Sequence, residues 1–140
     1  MLLRTLALTG AVTLACAFGA RAEMVTYHAT LNAAQEVPPT NSPATGSVTA
    51  VLDTATHKLT VDMTFKGFTD DVTAAHIHGP AAAGANAGVM VPLGTAPKSP
   101  VHVVATLTTD QEKDMAAGKT YVNVHSKDHP GGAIRGQLTK

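Results

Sequence analysis

The stretch that most limits what this chain can fold into runs from Leu59 to Phe65. Leu59, Val61, Met63 and Phe65 alternate with Thr60, Asp62 and Thr64. A period of two places one set of side chains in a core and the other in water, as in a half-buried β-strand. A helix would scatter the same residues around its circumference. The preceding stretch behaves alike: from Gly46 to Asp53, the residues Val48, Ala50 and Leu52 share one face. The turn-forming run from Asp53 to Lys58 then joins the two as a hairpin.

Further short strands follow from the same rule. Val25 to Leu31 puts Val25, Tyr27, Ala29 and Leu31 on one face. The Pro38-Pro39 pair after it suits a loop or an edge, because proline has no backbone N–H for a central ladder. Val72 to His78 reads as a strand with Thr73, Ala75 and Ile77 toward the core. The Gly/Ala-rich run Gly79 to Gly88 reads as a loop lying close to another backbone. Val89 to Leu93, Val101 to Leu107, Tyr121 to His125 and Ala133 to Leu138 complete the strands. The capping-box pattern from Thr109 to Glu112 predicts one short helix over Asp110 to Ala117, closed by Gly118. The expected fold is all-β: an immunoglobulin-like or Greek-key β-sandwich or barrel of seven to eight strands with one short helix.

The first 22 residues have a different character. Arg4 precedes an apolar run from Leu6 to Phe18, and Ala20-Arg21-Ala22 has the small-x-small form of a leader cleavage site. Residues 1–22 are expected to be a secretory signal peptide, with 23–140 as one exported domain, periplasmic or secreted. The single cysteine, Cys16, falls within the leader. The mature domain would therefore have neither disulfide nor thiolate ligand. Thr13 stands where a lipoprotein signal would carry leucine, which argues against lipid attachment at Cys16.

Charge narrows the partners. The chain has ten basic and ten acidic residues, and loss of Arg4 and Arg21 with the leader leaves eight against ten. That slight acidity is no footprint for nucleic acid or an anionic membrane. With no Trp and two Tyr, there is no aromatic platform for stacking bases.

Chemistry concentrates in the histidines. In Ala75-His76-Ile77-His78, the two imidazoles are two residues apart, so they share a face while Ile77 points the other way. If Val122 and Val124 face the core, Asn123 and His125 face out; if Ile134 faces the core, Arg135 faces out. Should these three strands be neighbours, His76, His78 and His125 form a metal site with a guanidinium nearby. Imidazoles without thiolates suit copper or zinc. His129, in the turn after His125, is the better candidate for a fourth ligand and His28 the weaker one. His57 reads as solvated, and His102 as a surface residue. Met90 reads as core. The carboxylates available to orient the histidines are Glu36, Asp70, Asp71 and Asp128, and Glu36 has the alternative task of satisfying backbone donors at the Pro-Pro loop. No phosphate-binding loop and no nucleophile elbow is present, and Ser126 points away from its neighbour His125.

Four motifs carry a resemblance. Gln35-Glu36-Val37-Pro38, Ala75-His76-Ile77-His78, Tyr121-Val122-Asn123-Val124-His125 and Gly132-Ala133-Ile134-Arg135-Gly136 stand in the order of the CHRD (chordin) domain. The chain resembles that family from about Val25 to Leu138. The CHRD domain is in turn similar to the Greek-key barrel of copper/zinc superoxide dismutase. That resemblance implies copper at His76, His78 and His125, and Arg135 as a catalytic guide for a small anion. It also marks departures: Gly79 to Pro100 holds no His, Asp or Glu, so a zinc loop is missing and zinc is disfavoured. Two functions remain open. One is an exported copper-binding domain with redox or superoxide-handling capacity. The other is a non-catalytic module whose histidines make structural hydrogen bonds with Asn123 and the Lys127–Gly132 turn.

Overall fold

The computed structural model describes residues 22–140; Cys16 and residues 1–21 of the expected signal peptide lie outside the described residues. Eight strands form two four-stranded antiparallel sheets with one short helix. The first sheet takes β1 (Met24–Leu31), β2 (Thr45–Asp53), β3 (Lys58–Lys66) and β6 (Val101–Thr106), in the order β1-β2-β3-β6. The second takes β4 (Val72–His78), β5 (Val89–Thr95), β7 (Tyr121–Ser126) and β8 (Ile134–Gln137), in the order β5-β4-β7-β8. Strand β7 returns to lie beside β4 after β5 and β6, which is a Greek-key connection. Backbone bridges from His28 to Thr139 and from Asn32 to Arg135 join the two sheets along the β1/β8 seam.

The period-two reading holds where the hairpin is regular. Strands β2 and β3 pair without a slip from Asp53↔Lys58 to Thr45↔Lys66. Asp53 closes their turn, accepting from the Ala55 N–H at 2.9 Å and the Thr56 hydroxyl at 2.8 Å, a side-chain turn that needs a short acceptor. Leu31, Leu52, Leu59, Val61, Ile77, Val122, Val124, Ile134 and Leu138 fill the space between the sheets and are fully buried. Met90, partly buried, packs against this core.

Two local expectations are corrected. Thr73 is exposed rather than in the core, because a bulge between Val72 and Ala74 inserts it as an extra residue; Val72 packs on the core instead. A bulge shifts the alternation by one, which pattern alone does not reveal. The helix α1 (Thr109–Ala116) starts one residue early, capped by Thr108. The Gln111 N–H donates to the Thr108 hydroxyl at 3.2 Å, and the Thr108 N–H donates to Gln111 Oε1 at 2.8 Å. Either Thr108/Gln111 or Thr109/Glu112 satisfies the sequence pattern. Met115, within the helix in either case, is buried against the core. Thr108→Ala should cost about 1 kcal/mol. Thermal unfolding followed by circular dichroism should then show a fall in Tm of roughly 3–6 °C.

Candidate metal centre

The second sheet brings the singled-out residues together. In the β4/β7 ladder, His76 lies opposite Asn123, Ala74 opposite His125, and His78 opposite Tyr121. In the β7/β8 ladder, Asn123 lies opposite Arg135. His125 is therefore the diagonal neighbour of His76 across the strand pair, within reach for long side chains. The His76 and His125 rings meet edge to face, with centroids 5.0 Å apart, and His76 Nδ1 stands 3.1 Å from His125 Nε2. One ligand nitrogen from each of His76, His78 and His125 lies within 4.8 Å of the other two. Ligand bonds of 2.0–2.1 Å hold two tetrahedral nitrogens about 3.3 Å apart, a spacing that the His76–His125 pair already approaches.

The hydrogen bonds define which nitrogens are open. His78 Nδ1–H donates to the Ala87 carbonyl at 3.0 Å, and His125 Nδ1–H donates to the Pro130 carbonyl at 3.0 Å. Each leaves Nε2 as a lone pair. His125 Nε2 accepts from His76 Nδ1–H. His78 Nε2 is buried and has no partner at all. An orphaned imidazole nitrogen in a cluster of imidazoles is an expensive arrangement for a protein core, costing about 1–3 kcal/mol, and a metal ion would satisfy it. Burial holds all three imidazoles below the ordinary histidine range; at His76 the charges of His125 and His78 add to this. Burial thus favours their neutral form, the state a ligand requires.

Carbonyls, not carboxylates, orient these rings. None of the four carboxylates named from the sequence does so. Asp70 accepts from the Asp128 N–H at 2.6 Å in the turn below. Glu36 accepts from the Asn123 amide and from the Val37 backbone. It is 6 % exposed. Sequence reasoning could not find Ala87 and Pro130, because a backbone acceptor carries no residue signature.

Facing away from the core does not mean facing water here. The Gly79–Gly88 loop and the Asn32–Pro39 segment lie over the outer face of β4-β7-β8. His78 is 8 % exposed and Arg135 1 %. The Arg135 guanidinium donates to Asn86 Oδ1 at 3.0 Å and to the Ala85 carbonyl at 2.8 Å, and its carbon sits 3.4 Å from the Tyr121 ring centroid. His78 stacks on the same Tyr121, 5.0 Å between centroids and 6° from parallel. The Tyr121 hydroxyl donates to the Ala87 carbonyl at 3.3 Å. Arg135 is thus a clasp for the loop, and its positive charge also reaches His78.

The remaining histidines stay apart from the cluster. His129 shapes its own turn, its carbonyl accepting from the Ser126 and Gly132 N–H groups, and the structure does not bring it into the group of three. His28 lies on the first sheet with Nδ1 3.3 Å from the Thr49 hydroxyl. His57, read as solvated, is half exposed but pairs with Glu112 at 2.8 Å, and His102 pairs with Asp62 at 2.7 Å on the surface.

Fold and site together define a Greek-key β-sandwich with a three-histidine cluster on the outer face of one sheet, under a cover of loops. A model of the CHRD domain matches residues 27–138. The chain belongs to the CHRD domain family. A search of curated proteins found no match. Among the described residues, no helix is long and apolar enough to cross a membrane.

Proposed function

We propose that this is an exported copper-binding domain that holds one ion through His76, His78 and His125. The observation that carries the reading is the buried, unpartnered Nε2 of His78, on one of three histidines whose ligand nitrogens lie within 4.8 Å of one another. Nitrogen ligands without thiolates favour copper among the redox metals. His76 and His125 are only partly buried, so one side of the cluster is open to small molecules. Copper bound there would supply one-electron chemistry. In that setting Arg135 acts on a small anion through its charge, because both of its terminal nitrogens donate to the loop.

A second reading has its own observation. The His76–His125 hydrogen bond satisfies both partners without a metal, as expected of a non-catalytic module with structural histidines. Copper titration followed by electron paramagnetic resonance separates the two. The expected result is one-to-one binding with a nitrogen-rich type 2 signal, lost in the His76→Ala/His78→Ala double variant. Weak binding unaffected by that variant would leave the structural reading standing.

A further inference from the structure

Two adjacent residues outside the sheet are tied to both of the loops that orient the cluster. The Asn32–Pro39 segment leaves β1 beside β8, where Asn32 and Arg135 exchange backbone hydrogen bonds of 3.0 and 3.1 Å. A short 3-10 turn, Ala33–Gln35, follows, capped by Asn32 Oδ1. The Glu36 carboxylate then accepts from the Asn123 side-chain amide. The two groups press together on Gly132: a methyl group added there would stand 2.6 Å from Glu36 Oε1 and would overlap the Asn123 amide. Gly132 also has φ +136°, a conformation that side chains other than glycine resist. Three residues on from Val37, the Thr40 hydroxyl donates to the Ala133 carbonyl at 2.7 Å. The turn held in this way presents the Pro130 carbonyl to His125.

Val37, the next residue after Glu36, grips the other loop. Its carbonyl accepts from Asn86 Nδ2 at 2.9 Å, while Asn86 Oδ1 accepts from Arg135. The residue after Asn86 is Ala87, whose carbonyl receives His78 Nδ1–H.

We infer that the Glu36-Val37 dipeptide is a clamp that presets the Nδ1–H tautomer of His125 and His78, Glu36 acting as positioning residue for His125 through Asn123 and Gly132, and Asn86 for His78. A neutral imidazole in water exchanges between its two tautomers; a fixed carbonyl at Nδ1 selects the Nδ1–H form. The carbonyls are fixed only as well as their loops are. The inference deepens the copper reading and rests on it for the affinity readout alone.

The test uses ¹⁵N-labelled protein, metal-free, at a pH above the imidazole range. Long-range ¹H–¹⁵N correlation reports each histidine's tautomer directly. The wild type is expected to show His78 and His125 as pure Nδ1–H forms. Glu36→Ala should convert His125 to a mixture while leaving His78 unchanged; Asn86→Ala should do the reverse. Glu36→Gln, which keeps an acceptor for Asn123, should restore the wild-type pattern. Copper affinity should fall roughly 10–100-fold in each alanine variant. Folded alanine variants that retain both pure tautomers would overturn the clamp. If Glu36→Ala does not fold, Asn86→Ala, an exposed position, still decides. A wild type that binds no copper but shows the tautomer changes would reject the copper reading and keep the clamp.

Discussion

His78→Phe should abolish tight copper binding, lowering affinity by more than about 100-fold, while leaving the metal-free fold within about 1 kcal/mol of wild type. The affinity loss follows from removing a ligand, when altering only a residue behind a ligand already costs roughly 10–100-fold. The small stability change follows from what the ring does without metal. Phenylalanine keeps the flat stack on Tyr121. It forfeits one hydrogen bond to Ala87, worth about 0.5–1.5 kcal/mol, but the Ala87 carbonyl retains the Tyr121 hydroxyl. It also removes the unpartnered Nε2, a buried cost of about 1–3 kcal/mol. Isothermal titration with copper and urea unfolding without it measure the two quantities. Added copper should raise the Tm of the wild type and not that of the variant, since a ligand that binds only the folded state stabilises it. A large loss of stability with copper binding intact would show that the ring is structural.

Glu36→Gln should make the protein more stable in alkali and hardly change it in acid. Burial pushes the Glu36 carboxyl up from 4.5 to about 7, against the pull of the Arg135 charge and of hydrogen bonds from Asn123 and Val37. Between those two values the folded state binds the proton and the unfolded state does not. The stabilisation tied to that proton is fully present below about pH 4.5 and is lost as pH rises through about 7. A shift of this size corresponds to about 3 kcal/mol at most. Glutamine is neutral at every pH, so it avoids the loss. The variant should gain roughly 2–3 kcal/mol over wild type near pH 9 and match it near pH 4. Urea midpoints at the two pH values measure this. The buried histidines impose the opposite trend, their depressed values removing stability as pH falls below 6.5. They are common to both proteins and cancel in the comparison. A difference that does not change with pH would refute the burial argument.

Much of the fold was legible because alternation is a local property. Leu59 to Phe65 needed no knowledge of its neighbours to be a strand, nor did Val25 to Leu31. Errors arose where one residue changes the count, as at the Thr73 bulge, or where two caps compete, as at Thr108 and Thr109. The cluster was legible in part for the same reason. His76 and His78 share a face by spacing alone, and Val122 and Val124 assign His125 to the matching face of its own strand.

Sequence by itself determined the strand faces wherever the ladder is regular, the all-β class and the residue types that the second sheet turns away from the core. Only the tertiary structure decided that β4, β7 and β8 are neighbours and that His76 and His125 meet diagonally. It alone showed that the outer face is roofed over, which turned Arg135 from an exposed guanidinium into a buried clasp. The physical reason is that side-chain direction comes from the backbone within a strand, whereas adjacency comes from pairing between distant segments. The orienting groups, the carbonyls of Ala87 and Pro130, are further removed from the sequence: every residue carries one, and only the folded loops choose which two face the histidines.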